Sequence, residues 1–132
     1  MRIGIVSDTH GMLRPEVLEL CGAVDRIVHA GDVGGAEVIE RLGAVAPVTA
    51  VYGNVDGGTL RARLPRVAEI KVDGFVLVVT HGDQFGSPEP AALKEAFPHA
   101  DVIVYGHTHR PLIHGFEDYS LAVNPGPAGP AR

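Results

Sequence analysis

The sequence predicts an α/β fold, a mixed β sandwich with helices. Short apolar segments rich in Val and Ile alternate with helix-like segments, and glycine or proline separates neighbouring segments. The early segments follow a βαβαβ order, which favours parallel strands, whereas later turn-linked strand pairs favour antiparallel additions. The chain has 132 residues and no visible internal boundary, so we expect one domain over residues 1–132.

The predicted strands and helices are apolar segments, and residues typical of helix ends or turns mark several of their boundaries. Pro15 is compatible with the first turn of the first helix, and Gly43 closes the second helix. Asp73 and Gly74 form a strong hairpin-turn signal. The tail NPGPAGPAR cannot extend a strand or a helix and is expected on the surface. Strands are predicted at residues 3–7, 26–30, 48–52, 67–72, 75–80, 102–105, 112–116 and 120–123, and helices at residues 14–20, 35–42 and 90–96.

Composition and charge exclude several classes of protein. The formal charge of −5 with neutral histidines does not indicate a basic surface that would bind nucleic acid non-specifically. Cys21, the single cysteine, excludes an internal disulfide and a thiolate metal cage, and it is predicted to be a buried structural thiol. The N-terminus MRIGIVSD lacks the apolar region of a signal peptide, and no apolar run approaches the ~20 residues needed to span a bilayer. We therefore expect a cytoplasmic protein without membrane attachment.

Polar residues with metal-binding side chains follow five of the predicted strands, at the point where each strand ends. In open α/β sheets, ligands bind beyond the carboxyl ends of the strands, so these side chains are expected to converge. A set of turn residues and helix caps is the alternative interpretation, but His107 and His109 have no comparable capping role. The seven candidate metal ligands are Asp8, His10, Asp32, Asn54, His81, His107 and His109.

The chemistry of these side chains indicates two metal ions rather than one. Two carboxylates, one amide oxygen and four imidazoles are too many for one tetrahedral zinc ion, and they suffice for two ions that share a bridging carboxylate. A mixed oxygen and nitrogen set suits Mn, Fe, Ni or Zn better than Mg or Ca, and Mn is the preferred assignment. Two divalent ions would bring the formal charge from −5 to about −1, so phosphate substrates remain admissible.

Five short motifs resemble those of the calcineurin-like metallophosphoesterases, and the similarity is greatest to their short prokaryotic phosphodiesterase branch. The resemblance runs from Arg2 to about Gly126. It implies a metallophosphoesterase-like four-layer fold, with two sheets between outer helices, and attack by a metal-bound hydroxide on a phosphate ester. The motifs are SDTHG (7–11), AGD (30–32), GN (53–54), THG (80–82) and GHTH (106–109).

The resemblance also implies how the candidate ligands divide between two ions. Direct catalytic roles are predicted for Asp32, Asn54 and His107. The expected substrate is a small-molecule phosphate ester. The implied ligands of one ion are Asp8, His10, Asp32 and His109, and those of the second ion are the bridging Asp32 with Asn54, His81 and His107.

Three positions depart from the family pattern. Many larger members carry a histidine that protonates the leaving group where this chain has Val55; general acid catalysis is typically worth ~10²–10⁴-fold, so esters with poor leaving groups should suffer most. Asp83 replaces a further histidine after THG, and it would either orient a ligand or repel substrate phosphate. Pro127 replaces the serine of the usual NPGS, and the chain ends at Arg132. We therefore expect a fold shortened at the C-terminus, with a sheet edge that a homodimer could cover.

Four further polar residues have two interpretations each. His29 is predicted to be a hydrogen-bonded core histidine rather than a metal ligand. Asp56 is either a turn residue or a group that supports the metal ligands. Arg110, and less strongly Arg14, could contact a substrate phosphate, although a surface ion pair is favoured for each.

Two functions of different classes remain. The favoured function is that of an enzyme, a phosphodiesterase or a broader phosphoesterase. The alternative is a non-catalytic metal-binding scaffold for protein–protein interaction, similar to the eukaryotic retromer scaffold subunit. Val55 and the short tail favour the scaffold. The complete ligand set favours the enzyme, because a scaffold with no chemistry to perform would be expected to lose ligands first.

Overall fold

Residues 1–129, the part of the chain that the computed structural model describes, form eight strands and four helices. The strands are β1 (Ile3–Val6), β2 (Arg26–His29), β3 (Val48–Ala50), β4 (Val67–Val72), β5 (Phe75–Thr80), β6 (Val102–Val104), β7 (Leu112–Gly115) and β8 (Leu121–Asn124). The helices are α1 (Pro15–Leu20), α2 (Ala36–Gly43), α3 (Gly58–Arg63) and α4 (Pro90–Ala96). Short 3₁₀ turns cover Cys21–Ala23 and Asp83–Phe85.

The strands form one sheet of three strands and one sheet of five. The first sheet has the order β1-β2-β3 and is parallel throughout, with Ile5 of β1 opposite Val28 of β2. The second sheet has the order β4-β5-β6-β8-β7. Its three inner strands are parallel, whereas β4 and β7 pair antiparallel at the two edges. This mixture confirms the predicted parallel units with antiparallel hairpin additions.

Three apolar clusters divide the molecule into four layers. Between the two sheets, alternate strand residues meet, among them Val28 of β2, Val79 of β5 and Val104 of β6. Leu42 of α2 lies in the cluster between the first three helices and the first sheet, and Leu93 of α4 packs on the outer face of the second sheet. The order helix, sheet, sheet, helix confirms the predicted four-layer fold.

Helix α3 has no counterpart among the predicted elements. Gly57 and Gly58 at its start are typical of a loop. The N–H of Arg61 nevertheless donates to the carbonyl oxygen of Gly57 (3.0 Å), and Leu60 is buried in the cluster beneath the helices. Burial of one leucine therefore outweighs the local loop signal of two glycines.

Both predicted hairpins are present. Asp73 and Gly74, with φ angles of 51° and 84°, join β4 to β5. Residues 116–120 join β7 to β8. Positive φ at both central residues matches the twist of the flanking strands, which explains why an Asp-Gly pair predicts this turn.

The helices are short. The longest of the four, α2, has 8 residues. Within residues 1–129, none of the helices combines the length and the apolar character that crossing a membrane requires.

The expectation that the tail lies on the surface is wrong for most of its described part: of residues 124–129 only Pro127 is exposed, and Asn124 is the last residue of β8. The N–H of Ala128 donates to the carbonyl oxygen of Ser7 (2.9 Å), directly after β1. Gly129 is buried, and a Cβ atom there would lie 2.2 Å from the carbonyl oxygen of Thr9. Because small residues can contact a backbone closely, the tail lies against the loop after β1. Residues 130–132, also part of the predicted tail, fall outside the described residues.

Candidate metal centre

The carboxyl ends of five strands converge at one edge of the sandwich. Strands β1, β2 and β3 of the first sheet, and β5 and β6 of the second, are each followed by side chains predicted as ligands. His81 links the two sheets here, because its Nδ1 lies 2.8 Å from the carbonyl oxygen of Ala30. The N–H of Gly106 in turn donates to the carbonyl oxygen of His81 (3.1 Å). The structure thus brings all seven predicted ligands to one place.

The first cluster consists of Asp8, His10, Asp32 and His109, whose potential ligand atoms all lie within 4.8 Å of one another. His10 Nε2 lies 3.4 Å from His109 Nε2 and 3.9 Å from Asp32 Oδ2. His109 Nε2 lies 3.3 Å from Asp8 Oδ1. Two ligands each about 2.1 Å from a tetrahedral ion lie about 3.4 Å apart. These separations fit one divalent metal ion.

The second cluster consists of Asp32, His81 and His107, with Asn54 in contact with both histidines. His81 Nε2 lies 3.1 Å from Asp32 Oδ2 and 3.1 Å from Asn54 Oδ1. His107 Nδ1 lies 3.1 Å from the same amide oxygen. Asp32 belongs to both clusters, so its carboxylate could contact an ion in either position.

Hydrogen bonds do not satisfy these atoms, whereas a divalent cation could. Asp8 Oδ1 is buried and has no hydrogen-bond partner within residues 1–129. When His81 Nδ1–H donates to Ala30, the neutral ring leaves Nε2 as an acceptor, and it faces the acceptor oxygens of Asp32 and Asn54. Buried acceptors without donors are costly, and a divalent cation in each cluster would supply the missing positive charge. The donor set therefore fits a divalent metal.

When the His81 ring is instead doubly protonated, His81 and Asp32 form an ion pair, with Nε2 and Oδ2 3.1 Å apart. Burial opposes ionisation of Asp32, but the hydrogen bond and the positive charge of His81 hold the pKa of that carboxyl below its usual value. Burial also opposes protonation of His81, yet the hydrogen bond and charge of Asp32 hold the pKa of His81 above its usual value. A proton on His81 thus takes the position that a metal ion would take, and metal binding would displace it.

The backbone at most of the candidate ligands is unusual. Outside glycine, the left-handed conformation is uncommon, and Asp and His are among the residues that adopt it most readily. Such conformations persist where surrounding contacts fix them, and they concentrate at functional sites. Positive φ angles between 50° and 70° occur at five of the seven candidates: Asp8, His10, Asp32, His107 and His109.

Two glycines make room for the carboxylates. Gly53 and Gly106 each directly precede a candidate ligand. A Cβ atom on Gly53 would lie 2.2 Å from Asp32 Oδ1, and one on Gly106 would lie 2.6 Å from Asp8 Oδ2. The strand ends can therefore approach one another only because both positions lack a side chain.

Asp56 supports two of the loops that carry ligands. Its buried carboxylate accepts hydrogen bonds from the N–H groups of Val33 (3.1 Å), Gly34 (2.9 Å) and Gly53 (2.8 Å). These three donors lie in the loops after β2 and β3, so one side chain ties both loops together. Of the two interpretations that the sequence allowed, the geometry favours the supporting role.

His29 is a hydrogen-bonded core histidine, as predicted. Its Nδ1 accepts a hydrogen bond from the N–H of Gly31 (3.1 Å), and its Nε2 donates to Thr9 Oγ1 (3.0 Å). The hydroxyl of Thr9 donates onward to the carbonyl oxygen of Val33 (2.8 Å). Burial lowers the pKa of His29 to about 4, so the ring is neutral at physiological pH. It joins the loops after β1 and β2 without contributing charge.

Two residues that the sequence analysis missed support the centre, one through a candidate ligand and the other through a loop that carries ligands. Ser7 Oγ donates to Asp8 Oδ2 (2.6 Å), which leaves Oδ1 of the same carboxylate as the atom without a partner. Asn124 Nδ2 donates to the carbonyl oxygen of Gly106 (3.2 Å) and to Thr108 Oγ1 (3.0 Å), which fixes the loop after β6. A buried asparagine at the end of an apolar strand was the available signal.

The remaining candidates lie outside both clusters. The surface ion pairs favoured for Arg14 and Arg110 are not found within residues 1–129, because no carboxylate lies close enough to either exposed guanidinium. Asp83 contacts Arg66 (3.5 Å) and belongs to neither cluster. Cys21 is buried and unoxidised, as predicted, and burial raises the pKa of its thiol.

Fold and site together define this chain as an α/β sandwich protein with a cluster of potential divalent-metal ligands at its strand ends. The chain belongs to the calcineurin-like phosphoesterase superfamily, whose domain profile matches residues 1–132. This membership confirms the family that the five sequence motifs indicated.

Similar proteins carry names that describe phosphoester chemistry. A probable metallophosphoesterase of Methanothermobacter thermautotrophicus is 35% identical over 133 residues, which span 96% of this chain and 76% of the relative. Phosphodiesterase YfcE of Escherichia coli is 34% identical over 135 residues, which span 85% of this chain and 71% of the relative. Among solved structures, a single mutant of Vps29 from Entamoeba histolytica superimposes with a TM-score of 0.82 at 25% identity, covering 100% of this chain and 77% of that one.

Replacing Asp56→Asn should lower both the stability of the protein and its affinity for metal. The amide keeps one acceptor oxygen and turns an NH₂ group towards backbone donors, so at least one N–H loses its partner, at a cost of about 1–3 kcal/mol. Loosening of the two loops should weaken Mn²⁺ binding by about 10–100-fold. Urea unfolding and isothermal titration calorimetry with Mn²⁺ measure the two effects.

Asp101→Asn is the matched control for this substitution. Asp101 accepts one backbone hydrogen bond, from Val76 (2.7 Å), near the opposite ends of β5 and β6. Its replacement should lower stability and leave Mn²⁺ affinity unchanged. Wild-type Mn²⁺ affinity in Asp56→Asn would show that Asp56 acts on stability alone.

His29 should make the stability of the protein depend on pH. The folded ring stays neutral down to about pH 4, whereas an unfolded histidine takes up a proton near pH 6.5, so the unfolded state binds more protons between these values. The free energy of unfolding should therefore fall as the pH is lowered from about 6.5 to about 4, by up to about 3 kcal/mol from this residue. Urea unfolding of wild type and His29→Gln with chelator present measures this. A difference between the two proteins that stays constant over this range would refute the assignment.

Proposed function

We propose that this chain is a dinuclear metal-dependent phosphoesterase acting as a phosphodiesterase. The observation that carries the proposal is the position of Asp32, whose carboxylate belongs to both clusters of potential ligands. A shared carboxylate between two ion positions is suited to the two-metal displacement reactions of phosphoesterases. Family membership and the names of the relatives support the same type of reaction.

The ligand side chains have distinct tasks in this proposal. Bound divalent ions would supply an activated water and withdraw charge from the phosphoryl oxygens. The carbonyl oxygen of Ala30 orients the His81 ring so that Nε2 faces Asp32. The first ion would be held by Asp8, His10, Asp32 and His109, and the second by Asp32, Asn54, His81 and His107.

Asn54, His107 and Asp32 differ in how accessible they are to a substrate. Asn54 is exposed and His107 is partly exposed, whereas Asp32 is buried. A phosphate ester arriving from solvent can therefore contact Asn54 and His107 directly. On this basis we assign direct catalytic roles to both, and to Asp32 through its shared position.

Val55 limits the chemistry at the leaving group. Its side chain cannot transfer a proton, and its backbone N–H donates to Asp32 Oδ1 (3.1 Å). The position therefore steadies Asp32 and supplies no general acid. Esters whose leaving group departs without a proton, such as nitrophenolate, should be hydrolysed best.

The metal and the substrate class follow from the same chemistry. Mixed oxygen and nitrogen donors favour Mn²⁺ over Mg²⁺ or Ca²⁺, with Fe, Ni and Zn as alternatives. The charge of −5 argues against non-specific binding to nucleic acid, and we propose small-molecule phosphodiesters as substrates. Residues 1–132 would act as one domain, in the cytoplasm.

A non-catalytic protein-binding role is the second candidate function. Val55 is the observation that favours it, because the position offers no general acid. The complete set of seven candidate ligands, five of them held in an uncommon backbone conformation, favours the enzyme.

The chain should hydrolyse bis-p-nitrophenyl phosphate when Mn²⁺ is restored after chelator treatment. Asp32→Ala should abolish this turnover and reduce the bound metal, because it removes the carboxylate shared by both clusters. Asp25→Ala is the matched control, since Asp25 is exposed and lies at the opposite end of β2. Absorbance of released nitrophenolate measures turnover, and elemental analysis counts the ions.

Three outcomes of this experiment lead to different conclusions. Turnover by wild type and Asp25→Ala alone supports the phosphodiesterase. Two bound ions without turnover would replace it with the protein-binding role. A wild-type protein that binds no metal would show that the ligand assignment is wrong.

Val55→His should restore hydrolysis of diesters with poor leaving groups. A histidine at this exposed position next to Asn54 could protonate an alkoxide, and general acids of this kind typically contribute ~10²–10⁴-fold when well placed. We expect the ratio of thymidylyl-(3′,5′)-thymidine to bis-p-nitrophenyl phosphate hydrolysis to rise at least about tenfold. Chromatography of the released nucleotides measures the first rate. Val45→His, at another exposed valine, is the control; an unchanged ratio in Val55→His would refute the account of the leaving group.

A further inference from the structure

A cavity of about 440 Å³ lies beside the candidate metal centre. This volume is within the range of small-molecule binding sites. Its walls come from the segment before α4 and from the loop after β6, and the lining includes Ser87, Pro88, Glu89, Tyr105, Thr108 and Arg110.

Both walls are continuous with residues of the second cluster. Thr108 follows His107 directly in the chain. On the other side, Pro88 packs so closely over Gly82, the residue after His81, that a Cβ atom there would lie 2.9 Å from Pro88 Cγ. This adjacency on two sides is the reason for considering the cavity as a site for an organic group of a diester whose phosphate lies at the second cluster.

Hydrogen bonds hold the loop that forms the wall on the Arg110 side. The backbone N–H of Arg110 donates to Thr108 Oγ1 (3.2 Å), and Asn124 Nδ2 donates to the same hydroxyl (3.0 Å). The backbone of Arg110 is thus positioned before any ligand binds. A preformed position of this kind reduces the ordering cost of binding.

The charges in the cavity indicate what it binds. The guanidinium of Arg110 makes no hydrogen bond or ion pair within residues 1–129, and Arg110 lines this cavity. Glu89 lines the same cavity and forms no ion pair with Arg110. An available guanidinium binds phosphate or carboxylate groups bidentately, and a carboxylate accepts hydrogen bonds from hydroxyl groups.

Resting on the phosphodiesterase function above, we propose that this cavity binds an organic group of the diester and that Arg110 selects substrates carrying a second anionic group. The substrate class is thus a phosphodiester of a hydroxyl-bearing compound, such as a sugar or nucleoside, with a further phosphate. Glu89 would contact a hydroxyl of the same compound. Arg110 acts on substrate preference and has no role in activating water.

Two chromogenic diesters with the same leaving group test this proposal on the Mn²⁺-loaded full chain. One is the 5′-(p-nitrophenyl phosphate) of thymidine, and the other is the same compound with an additional 3′-phosphate. The wild type should show a kcat/KM about 10–100-fold higher for the phosphorylated compound, the size expected for a hydrogen bond between charged groups. Arg110→Ala should remove this preference, and Arg110→Lys should keep part of it, since lysine retains the charge without the bidentate geometry.

Arg41→Ala is the matched control. Arg41 lies in the last turn of α2, is exposed, has no ion pair within residues 1–129 and does not line the cavity, so its replacement should leave the preference intact. Equal kcat/KM values for the two compounds in the wild type, or a preference that survives in Arg110→Ala, would overturn the proposal while the phosphodiesterase function stands.

A second measurement decides the matter if neither diester is hydrolysed. In that case the phosphodiesterase function fails, and binding of thymidine 3′,5′-bisphosphate to the Mn²⁺-loaded protein is measured by calorimetry. Binding weakened at least about tenfold in Arg110→Ala, and unchanged in Arg41→Ala, would support an anion site at Arg110. Equal binding by wild type and Arg110→Ala would overturn it.

Discussion

Two buried carboxylates set the conditions for the rest of the centre. Asp8 and Asp32 are 0% and 3% exposed, and carboxylates at such depth need positive charge or several donors close by. Ser7 and the N–H of His107 each donate one hydrogen bond to Asp8 Oδ2, and Val55 donates one to Asp32. These donors are too few, since Oδ1 of Asp8 has none within residues 1–129. The four surrounding imidazoles and a divalent charge would complete the balance, so a bound metal would serve electrostatics as well as chemistry.

The geometry that gathers these groups is itself costly. Left-handed conformations outside glycine cost of order 1–3 kcal/mol each when they are strained, and five candidate ligands adopt them. The compensation comes from neighbouring residues that would not contact a metal. Asp56 ties the loops after β2 and β3, His29 ties those after β1 and β2, and Asn124 holds the loop after β6. A layer of buried hydrogen bonds therefore fixes the ligand positions in advance of binding.

Much of this arrangement could be predicted from the sequence, because the signals are local. The Asp73-Gly74 turn, the apolar strands and the polar residues at their ends depend on neighbours in the chain, and strand direction then places seven side chains at one edge. Helix α3 could not be predicted, since it depends on burial of Leu60 against distant elements. The same holds for the three donors of Asp56 and for the tail against the loop after β1. The absence of an ion pair at Arg110 within residues 1–129 was likewise invisible, because it depends on which surface residues meet in three dimensions.

The space beside Gly53 and Gly106 restricts which sequence variants this protein can tolerate. Any substitution at either position adds a Cβ atom that would overlap a carboxylate of Asp32 or Asp8. A comprehensive mutational scan would therefore find these two positions as intolerant as the carboxylates themselves. Intolerance to mutation alone would therefore not distinguish residues that could bind metal from residues that must lack a side chain.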